Sequence, residues 1–244
     1  AFFMGGPDIP PSFYGQDVNL LTIIEDYYRH ELELSFLFHL LGGYQDSLYI
    51  PLLERKPGFT ILGICLGMQS MNVATGGDLI QDIPTVVYGQ NTLEDVLIAS
   101  SQNRHRNYYV HYGEHPDVAW GCFHQIFPYG DSEFSKYLYQ QDSMPYVLSI
   151  HHQCIDKLGK GILPAALGQD GKVIEAIAHQ KYPNVLGVQF HPEAIELYDT
   201  ASVFLMHKAQ DTLFSYKSLY PENKGVFFHH GFWKLITEKI SVTP

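Results

Sequence analysis

Three residues of this sequence could together carry out nucleophilic catalysis: Cys65, His191 and Glu193. Cys65 lies between Gly63 and Gly67, and glycines on both sides permit a turn too tight for a side chain. Such a turn from a strand into a helix places the sulfur at the carboxyl end of a sheet and beside a helix N-terminus, which favours thiolate over thiol. A thiolate next to an imidazole is a nucleophile with its general base.

His191 is followed by Pro192 and Glu193. A residue before proline favours extended backbone, and side chains two positions apart in an extended segment point the same way. Glu193 could therefore orient the ring of His191 and stabilise its charged form, as the third member of a triad does. A buried structural cysteine and a satisfied surface histidine are the alternative. The joint occurrence of both motifs, each after an apolar run, favours catalysis.

The elements that must position these residues follow from hydrophobic runs. Residues 59–64 and 185–190 are short and apolar, which predicts buried strands, and residues 68–74 predict a helix after Cys65. A longer helix is predicted over 20–41, ending at Gly42. Strands alternating with helices predict an α/β fold with a mostly parallel central sheet flanked by helices, and the hairpin expected near 170–171 adds an antiparallel part.

Composition excludes several classes of protein. The chain has 244 residues, 45% of them hydrophobic, without an apolar run of membrane-spanning length, so we expect one domain over 1–244 and no membrane partner. A net charge of -11 with only 15 Lys and Arg argues against a nucleic-acid partner. A nucleophilic Cys65 must stay unpaired; Cys122 and Cys154 are expected to be buried bystanders, with a bridge between them left open. No cofactor is expected.

Several ordered motifs give the chain a family resemblance. Residues 63–69, 76–83, 149–153 and 188–193 resemble the class I glutamine amidotransferase-like proteins, and among these the peptidase family C26 of the γ-glutamyl-γ-aminobutyrate hydrolase type. Residues 5–9 resemble the oxyanion loop of that family. The resemblance implies a flavodoxin-like fold. It also implies strand and helix units upstream of Ala1, so that the N-terminal strands of the fold are expected to be absent from this sequence.

The resemblance implies hydrolysis of a γ-glutamyl amide through a γ-glutamyl thioester on Cys65. The backbone N–H groups of Gly6 and Leu66 are the expected oxyanion donors. The resemblance also places His152 and Gln153 in the substrate pocket, with strand-end packing as the alternative. Gln69 lies one helical turn beyond Cys65 and could reach the same pocket.

Two segments depart from the family pattern. An insertion is expected at about 85–122, within an unusual stretch that extends to 142 and could set substrate choice. A C-terminal extension is expected at about 209–244, whose aromatic residues 227–233 should pack on the sheet or at a subunit contact. His111 and His115 have a spacing seen in zinc sites, but no cysteine or carboxylate completes a recognisable set, so no metal site is expected.

Three functions fit these motifs. The first is a stand-alone hydrolase of γ-glutamyl amines or peptides, with a small-molecule substrate. The second is a glutaminase subunit that delivers ammonia to a synthase partner, and the third is a catalytically silent ligand-binding relative. With the stand-alone hydrolase we also expect a homodimer and a cytoplasmic location. The leaving amine is left open, because the motifs recognise only the acyl half of the substrate.

Overall fold

The computed structural model describes residues 1–112, 117–207 and 212–241. Strands and α-helices in these residues follow in chain order and are numbered separately. The strands are β1 (Phe2–Phe3), β2 (Ile61–Ile64), β3 (Leu79–Ile80), β4 (Cys122–Pro128), β5 (Tyr146–Ser149), β6 (Cys154–Ile155), β7 (Ile162–Gly168), β8 (Ile174–His179) and β9 (Val185–Val188). The α-helices are α1 (Tyr27–Leu41), α2 (Leu66–Ala74), α3 (Ile83–Tyr88), α4 (Leu93–Ile98), α5 (Glu133–Tyr139), α6 (Tyr216–Leu219) and α7 (Val226–Ser241).

The main sheet of the described residues has the strand order β1-β2-β9-β8-β7-β4-β5. Neighbouring strands from β1 to β9 are parallel, and those from β9 to β5 are antiparallel. The predicted α/β class with a parallel part and an antiparallel addition is confirmed, and the antiparallel part is the larger in these residues. Ile64 pairs with Val188, so the residues that follow β2 and β9 lie side by side. The carboxyl ends of these two strands are called the sheet edge below.

Helices cover both faces of the sheet. On one face, α1 and α2 pack through buried side chains such as Leu37 and Met68. On the other face, Phe134 of α5 and the α7 residues Phe228 and Phe232 pack against Phe190. Two of the aromatic residues predicted to pack on the sheet, Phe228 and Phe232, therefore belong to the core on this face. Apolar side chains cover both faces of the sheet, which leaves the ends of its strands for polar functional groups.

The long helix near the N-terminus is shorter than predicted. Its predicted start at residue 20 is wrong, because α1 begins at Tyr27 with Asp26 as its N-cap. The Asp26 side chain accepts a hydrogen bond from the backbone N–H of Arg29. Leu20 before the cap is fully exposed, so its apolar character does not mark a helix face. The predicted stop at Gly42 is confirmed.

The segment expected to be an insertion contains α3, α4 and two short 3₁₀ turns, Ser101–Asn103 and Tyr108–Tyr112. Its described part is tied to β4, because Gln102 Oε1 accepts a hydrogen bond of 2.9 Å from the backbone N–H of Gln125. Residues 113–116, which include His115, lie outside the described residues. Cys122 and Cys154 are both free thiols, so no bridge joins them.

No helix among the described residues combines the length and the apolar character needed to cross a membrane.

Candidate active site

Cys65 occupies the turn between β2 and α2. Its φ of 51° and ψ of -106° lie outside the regions that a residue with a side chain prefers. The turn is held in place because the backbone N–H of Cys65 donates a hydrogen bond of 2.8 Å to the carbonyl of Val188. This strained geometry matches the predicted strand-to-helix turn, and strain of this kind is typical of functional sites.

His191 and Glu193 lie as the extended segment predicts. His191 Nδ1 lies 2.8 Å from Glu193 Oε1, and the backbone N–H of His191 donates to the carbonyl of Leu148. Burial by itself disfavours the charged ring, but the interactions with Cys65 and Glu193 outweigh it and raise the pKa of His191 to about 10. The imidazole is therefore charged at neutral pH and can donate a proton.

The Gly5–Gly6 turn packs directly against these groups. A methyl group on Gly5 would lie 2.9 Å from His191 Cε1 and 3.7 Å from Cys65 Cβ. A methyl group on Gly6 would lie 2.8 Å from Leu66 Cδ2. Since real Cβ atoms do not approach so closely, a side chain at Gly5 would require His191 to move, and one at Gly6 would require Leu66 to move. The structure thus brings Gly6 and Leu66 together beside Cys65, while their oxyanion role stays a prediction.

Arg29 holds this turn from α1. Its Nη2 donates hydrogen bonds of 3.0 Å to the carbonyl of Met4 and 3.1 Å to that of Gly5, and its Nε lies 2.8 Å from Glu33 Oε1. Arg29, oriented by Glu33, therefore supports the Gly5–Gly6 turn. The residue spacing of α1 carries no signal for this contact, because the carbonyls come from a segment 24 residues or more away in the chain.

Three glutamines lie around the nucleophile. Gln189 Nε2 is 3.6 Å from Cys65 Sγ, and Gln69 Nε2 donates to Gln189 Oε1 at 3.3 Å and to the carbonyl of Gln153 at 3.4 Å. The Gln153 side chain is 1% exposed, and its amide has no hydrogen-bond partner within the described part of the chain. Gln69 is thus linked to Cys65 through Gln189, while the substrate-binding roles of Gln69 and Gln153 stay predictions. Gln189 lies within a recognised motif, but its contact with sulfur was not predicted.

His152 lies between two carboxylates that the sequence did not connect with it. Its Nε2 is 3.0 Å from Asp8 Oδ2 and its Nδ1 is 3.2 Å from Asp82 Oδ1. Burial disfavours its charged form, yet the hydrogen bonds to Asp8 and Asp82 raise the pKa of His152 to about 9. The side chain borders a cavity of ≈ 330 Å³. The cavity is also lined by Leu21, Ile23, Asp82, Thr85, Leu93, Val96, Arg106, Tyr108 and His111.

Residues near the C-terminus fix the turn between His191 and Glu193. Trp233 Nε1 and the Tyr198 hydroxyl donate hydrogen bonds of 3.1 and 2.6 Å to the carbonyl of Pro192. The ring of Trp120 lies edge-on to that of His191, with centroids 5.8 Å apart. The C-terminal aromatic residues thus support the site, which no local motif predicts.

Several known proteins are similar to this chain in sequence. Residues 1–193 match the family profile of peptidase C26. The Lactococcus lactis protein YvdE, named as a candidate glutamine amidotransferase-like protein, is 32% identical over 189 residues, which cover 78% of this chain and 63% of that protein. The chloroplastic anthranilate synthase beta subunit 1 of Arabidopsis thaliana is 26% identical over 149 residues, which cover 59% of this chain and 41% of that protein.

Among solved structures, the chain is similar to a Thermotoga maritima glutamine amidotransferase, with 14% identity and a TM-score of 0.40. The aligned part covers 88% of this chain and 67% of the Thermotoga maritima chain. The chain spans less than two thirds of the length of both curated relatives. The profile match extends over most of the sequence, so the chain belongs to the peptidase C26 family. The predicted family is confirmed.

Proposed function

We propose that this protein hydrolyses γ-glutamyl amides, with Cys65 as the nucleophile, His191 as its acid and base, and Glu193 as the group that orients His191. The observation that carries the proposal is the strained turn at Cys65, whose side chain interacts with that of His191, with His191 paired to Glu193 at 2.8 Å. A nucleophile, a base and an orienting carboxylate in this order are the parts that acyl transfer needs.

In the proposed reaction, the Cys65 thiolate attacks the γ-carbonyl carbon and forms a C–S bond. The carbonyl oxygen becomes an oxyanion that the N–H groups of Gly6 and Leu66 stabilise, and losing one such donor typically costs about 10²–10³ in rate. Collapse breaks the C–N bond while the His191 imidazolium protonates the leaving amine. His191 then takes a proton from water, which attacks the thioester and releases glutamate and the thiolate.

The leaving amine is proposed to lie in the cavity beside His152. This cavity is built largely by the unusual segment after residue 85, and Asp8 connects His152 to the Gly5–Gly6 turn. Burial and the positive charges of Arg106 and His152 lower the pKa of His111, and of these two groups His152 is already paired with Asp8 and Asp82. The Arg106 guanidinium in the lining can pair with a carboxylate, so an amine that carries a carboxylate on an apolar stem is proposed in preference to a polyamine.

The choice of amine can be measured with two γ-glutamyl conjugates of similar length, one of an ω-amino acid and one of a diamine. We expect kcat/KM to favour the amino-acid conjugate, and Arg106→Gln to reduce that preference about tenfold, the value of one moderate charge interaction. Lys172→Gln, outside this cavity, is the control. An unchanged preference in Arg106→Gln would remove this cavity from the substrate site.

The nucleophile can be tested with a diazo-oxo analogue of glutamine and the mass of the intact protein. We expect one adduct, mapped to Cys65, that is absent in Cys65→Ala and retained in Cys154→Ala. The buried Cys122 and Cys154 serve as internal controls for general thiol reactivity. Adduct formation at all three cysteines would indicate general thiol reactivity and contradict the proposed site. No adduct on the folded protein would favour a catalytically silent binding protein.

A glutaminase subunit is the second candidate, and the similarity to an anthranilate synthase beta subunit favours it. The two functions differ in their dependence on a partner. A stand-alone hydrolase turns over γ-glutamyl amines by itself, whereas the partner-dependent subunit would be labelled at Cys65 but would release little ammonia alone. Measuring both amine and ammonia release from the isolated protein separates them.

A further inference from the structure

Four buried side chains outside the candidate active site converge on one point of the antiparallel part of the sheet: His105, His124, His151 and Glu175. One potential ligand atom from each lies within 4.8 Å of the others. Their exposed fractions are 3%, 0%, 4% and 0%, so water does not solvate them. Buried polar groups in folded proteins nearly always have partners, and a group without one commonly marks a missing water or ion.

Two of the histidines have an unprotonated Nε2 close to the carboxylate. His151 Nδ1 lies 2.9 Å from the carbonyl oxygen of Gln153, and His124 Nδ1 lies 3.3 Å from that of Gln125. A carbonyl oxygen only accepts hydrogen bonds, so in the neutral rings the proton sits on Nδ1 and Nε2 carries a lone pair. These Nε2 atoms lie 3.7 and 3.8 Å from Glu175 Oε1. The Nε2 lone pair of His151 has no hydrogen-bond donor within the described residues, so it and the nearby carboxylate repel each other unless a cation lies between them.

The remaining contacts do not supply that cation. His105 Nδ1 lies 2.9 Å from Glu175 Oε1 without the geometry of a hydrogen bond, and its Nε2 has no partner in the described residues. Within those residues, neither oxygen of Glu175 has a hydrogen bond, nor does Nε2 of His151. The His124 Nε2 lies 2.8 Å from Ser149 Oγ, a contact that a bound ion would replace. A buried carboxylate in this state is uncompensated.

We propose that His105, His124, His151 and Glu175 bind a single Zn²⁺ ion. Three imidazole nitrogens and one carboxylate oxygen form the four-ligand shell that zinc takes in a closed site, with bonds of about 2.0–2.2 Å. Bonds of that length in tetrahedral geometry separate the ligand atoms by about 3.4 Å, so the side chains need only small inward rotations. The nitrogen-rich set disfavours Mg²⁺ and Ca²⁺, which prefer oxygen ligands.

The site already has the outer contacts that zinc ligands usually have. The Nδ1–H groups of His151 and His124 face backbone carbonyls, which fixes the tautomer and orients the ring for metal binding through Nε2. Four separate segments supply the ligands: the loop before β4, β4 itself, the residues after β5, and β8. A zinc ion here ties the unusual segment to the sheet next to His152, so the proposed role is structural.

The sequence concealed this site. Metal-binding motifs are recognised by ligands close together in the chain, whereas these four are spread over 70 residues. The adjacent residues His151 and His152 do not share a site. His151 lies near Glu175, whereas His152 lies near Asp8 and Asp82. The expectation of no metal site rested on local spacing alone.

The proposal is tested by elemental analysis of the full chain expressed in zinc-supplemented medium and purified without chelators. We expect one zinc ion per chain that survives gel filtration, and a lower Tm after removal with a strong chelator that zinc restores. Cobalt-substituted protein should show the visible absorption of tetrahedral Co²⁺ without a thiolate charge-transfer band. Such a band would assign the ion to Cys122 or Cys154 and overturn this ligand set.

Variants sharpen the test. Glu175→Gln and His105→Gln should each lower the affinity for zinc at least about 100-fold, since each removes or neutralises a ligand. His39→Gln, a similar change at an exposed histidine of α1, should leave zinc content unchanged. If the wild-type protein is folded with substoichiometric zinc and its Tm responds neither to zinc nor to chelator, the proposal is wrong and a shared proton is what neutralises Glu175. This result would come from the wild-type protein, so it does not depend on the variants folding.

Discussion

Histidine lies beside glutamate in two regions of this molecule, with opposite outcomes. At the sheet edge, His191 has one glutamate partner at 2.8 Å and the Cys65 sulfur nearby, and these raise its pKa to about 10 against the effect of burial. In the antiparallel interior, three histidines surround Glu175, and burial lowers the pKa of His105 and His124 to about 4 and that of His151 to about 3.

The difference teaches that the surroundings, rather than the residue types, decide the chemistry. A single imidazole with its own carboxylate can hold a proton and return it, which suits acid and base catalysis. Three imidazoles that share one buried carboxylate cannot all be charged, and neutral imidazole is the form that binds metal ions. The sheet edge is therefore suited to moving protons, and the interior to holding a cation.

The largest expected effect is on turnover at the sheet edge. His191→Gln keeps the approximate shape of the ring but cannot exchange a proton at neutral pH, so kcat/KM for a γ-glutamyl amide should fall about 10³–10⁴-fold. Thermal unfolding checks that the variant is folded, with His39→Gln as the control for the same change at an exposed site. Near-normal turnover in a folded His191→Gln protein would show that His191 does not transfer the proton.

The second effect should be on stability in the interior. Glu175→Gln removes the charge that the three histidines surround, and the free energy of unfolding of the zinc-loaded protein should fall by about 3–5 kcal/mol. Denaturant unfolding measures this, with the exposed Glu25→Gln as the matched control. The rate of Cys65 labelling by the glutamine analogue should stay within a few-fold. If Glu175→Gln instead leaves stability unchanged and stops labelling, the division between the two regions is wrong.

A third effect isolates the packing of the Gly5 turn. Gly5→Ala places a methyl group 2.9 Å from His191 Cε1, so the ring must move, and kcat should fall about 10–100-fold, the usual result of a small misplacement of a catalytic group. Gly58→Ala is the control, because a methyl group there meets nothing within 4 Å. Equal kcat values in the two variants would show that the turn does not position His191.

The smallest effect is a shift in titration. The His191 ring, followed by NMR, should titrate near its raised pKa of about 10, and Cys65→Ala should lower that pKa because it removes the sulfur that favours the charged ring. The raised pKa stabilises the fold fully below the ordinary value of about 6.5, and this contribution is lost as pH rises through about 10. Titration of His191 in its ordinary range in both proteins would contradict the proposed charge state.

Local chemistry made part of this site predictable. The turn around Cys65 follows from glycines between an apolar run and a helix, and the Glu193 contact follows from extended backbone before Pro192. Arg29, Gln189 and Trp233 were missed because their contacts depend on how distant segments pack. The start of α1 was misplaced because exposed apolar residues before Asp26 resemble a helix face, and only the cap reveals the boundary.

The most direct test of the central claim is the mass of the intact protein, acid-quenched during turnover of a γ-glutamyl amide. We predict a species heavier by one γ-glutamyl group, mapped to Cys65, in the wild-type protein and absent in Cys65→Ala. Turnover of the same amide by Cys65→Ala, at the wild-type rate and without any acylated species, would contradict the covalent mechanism.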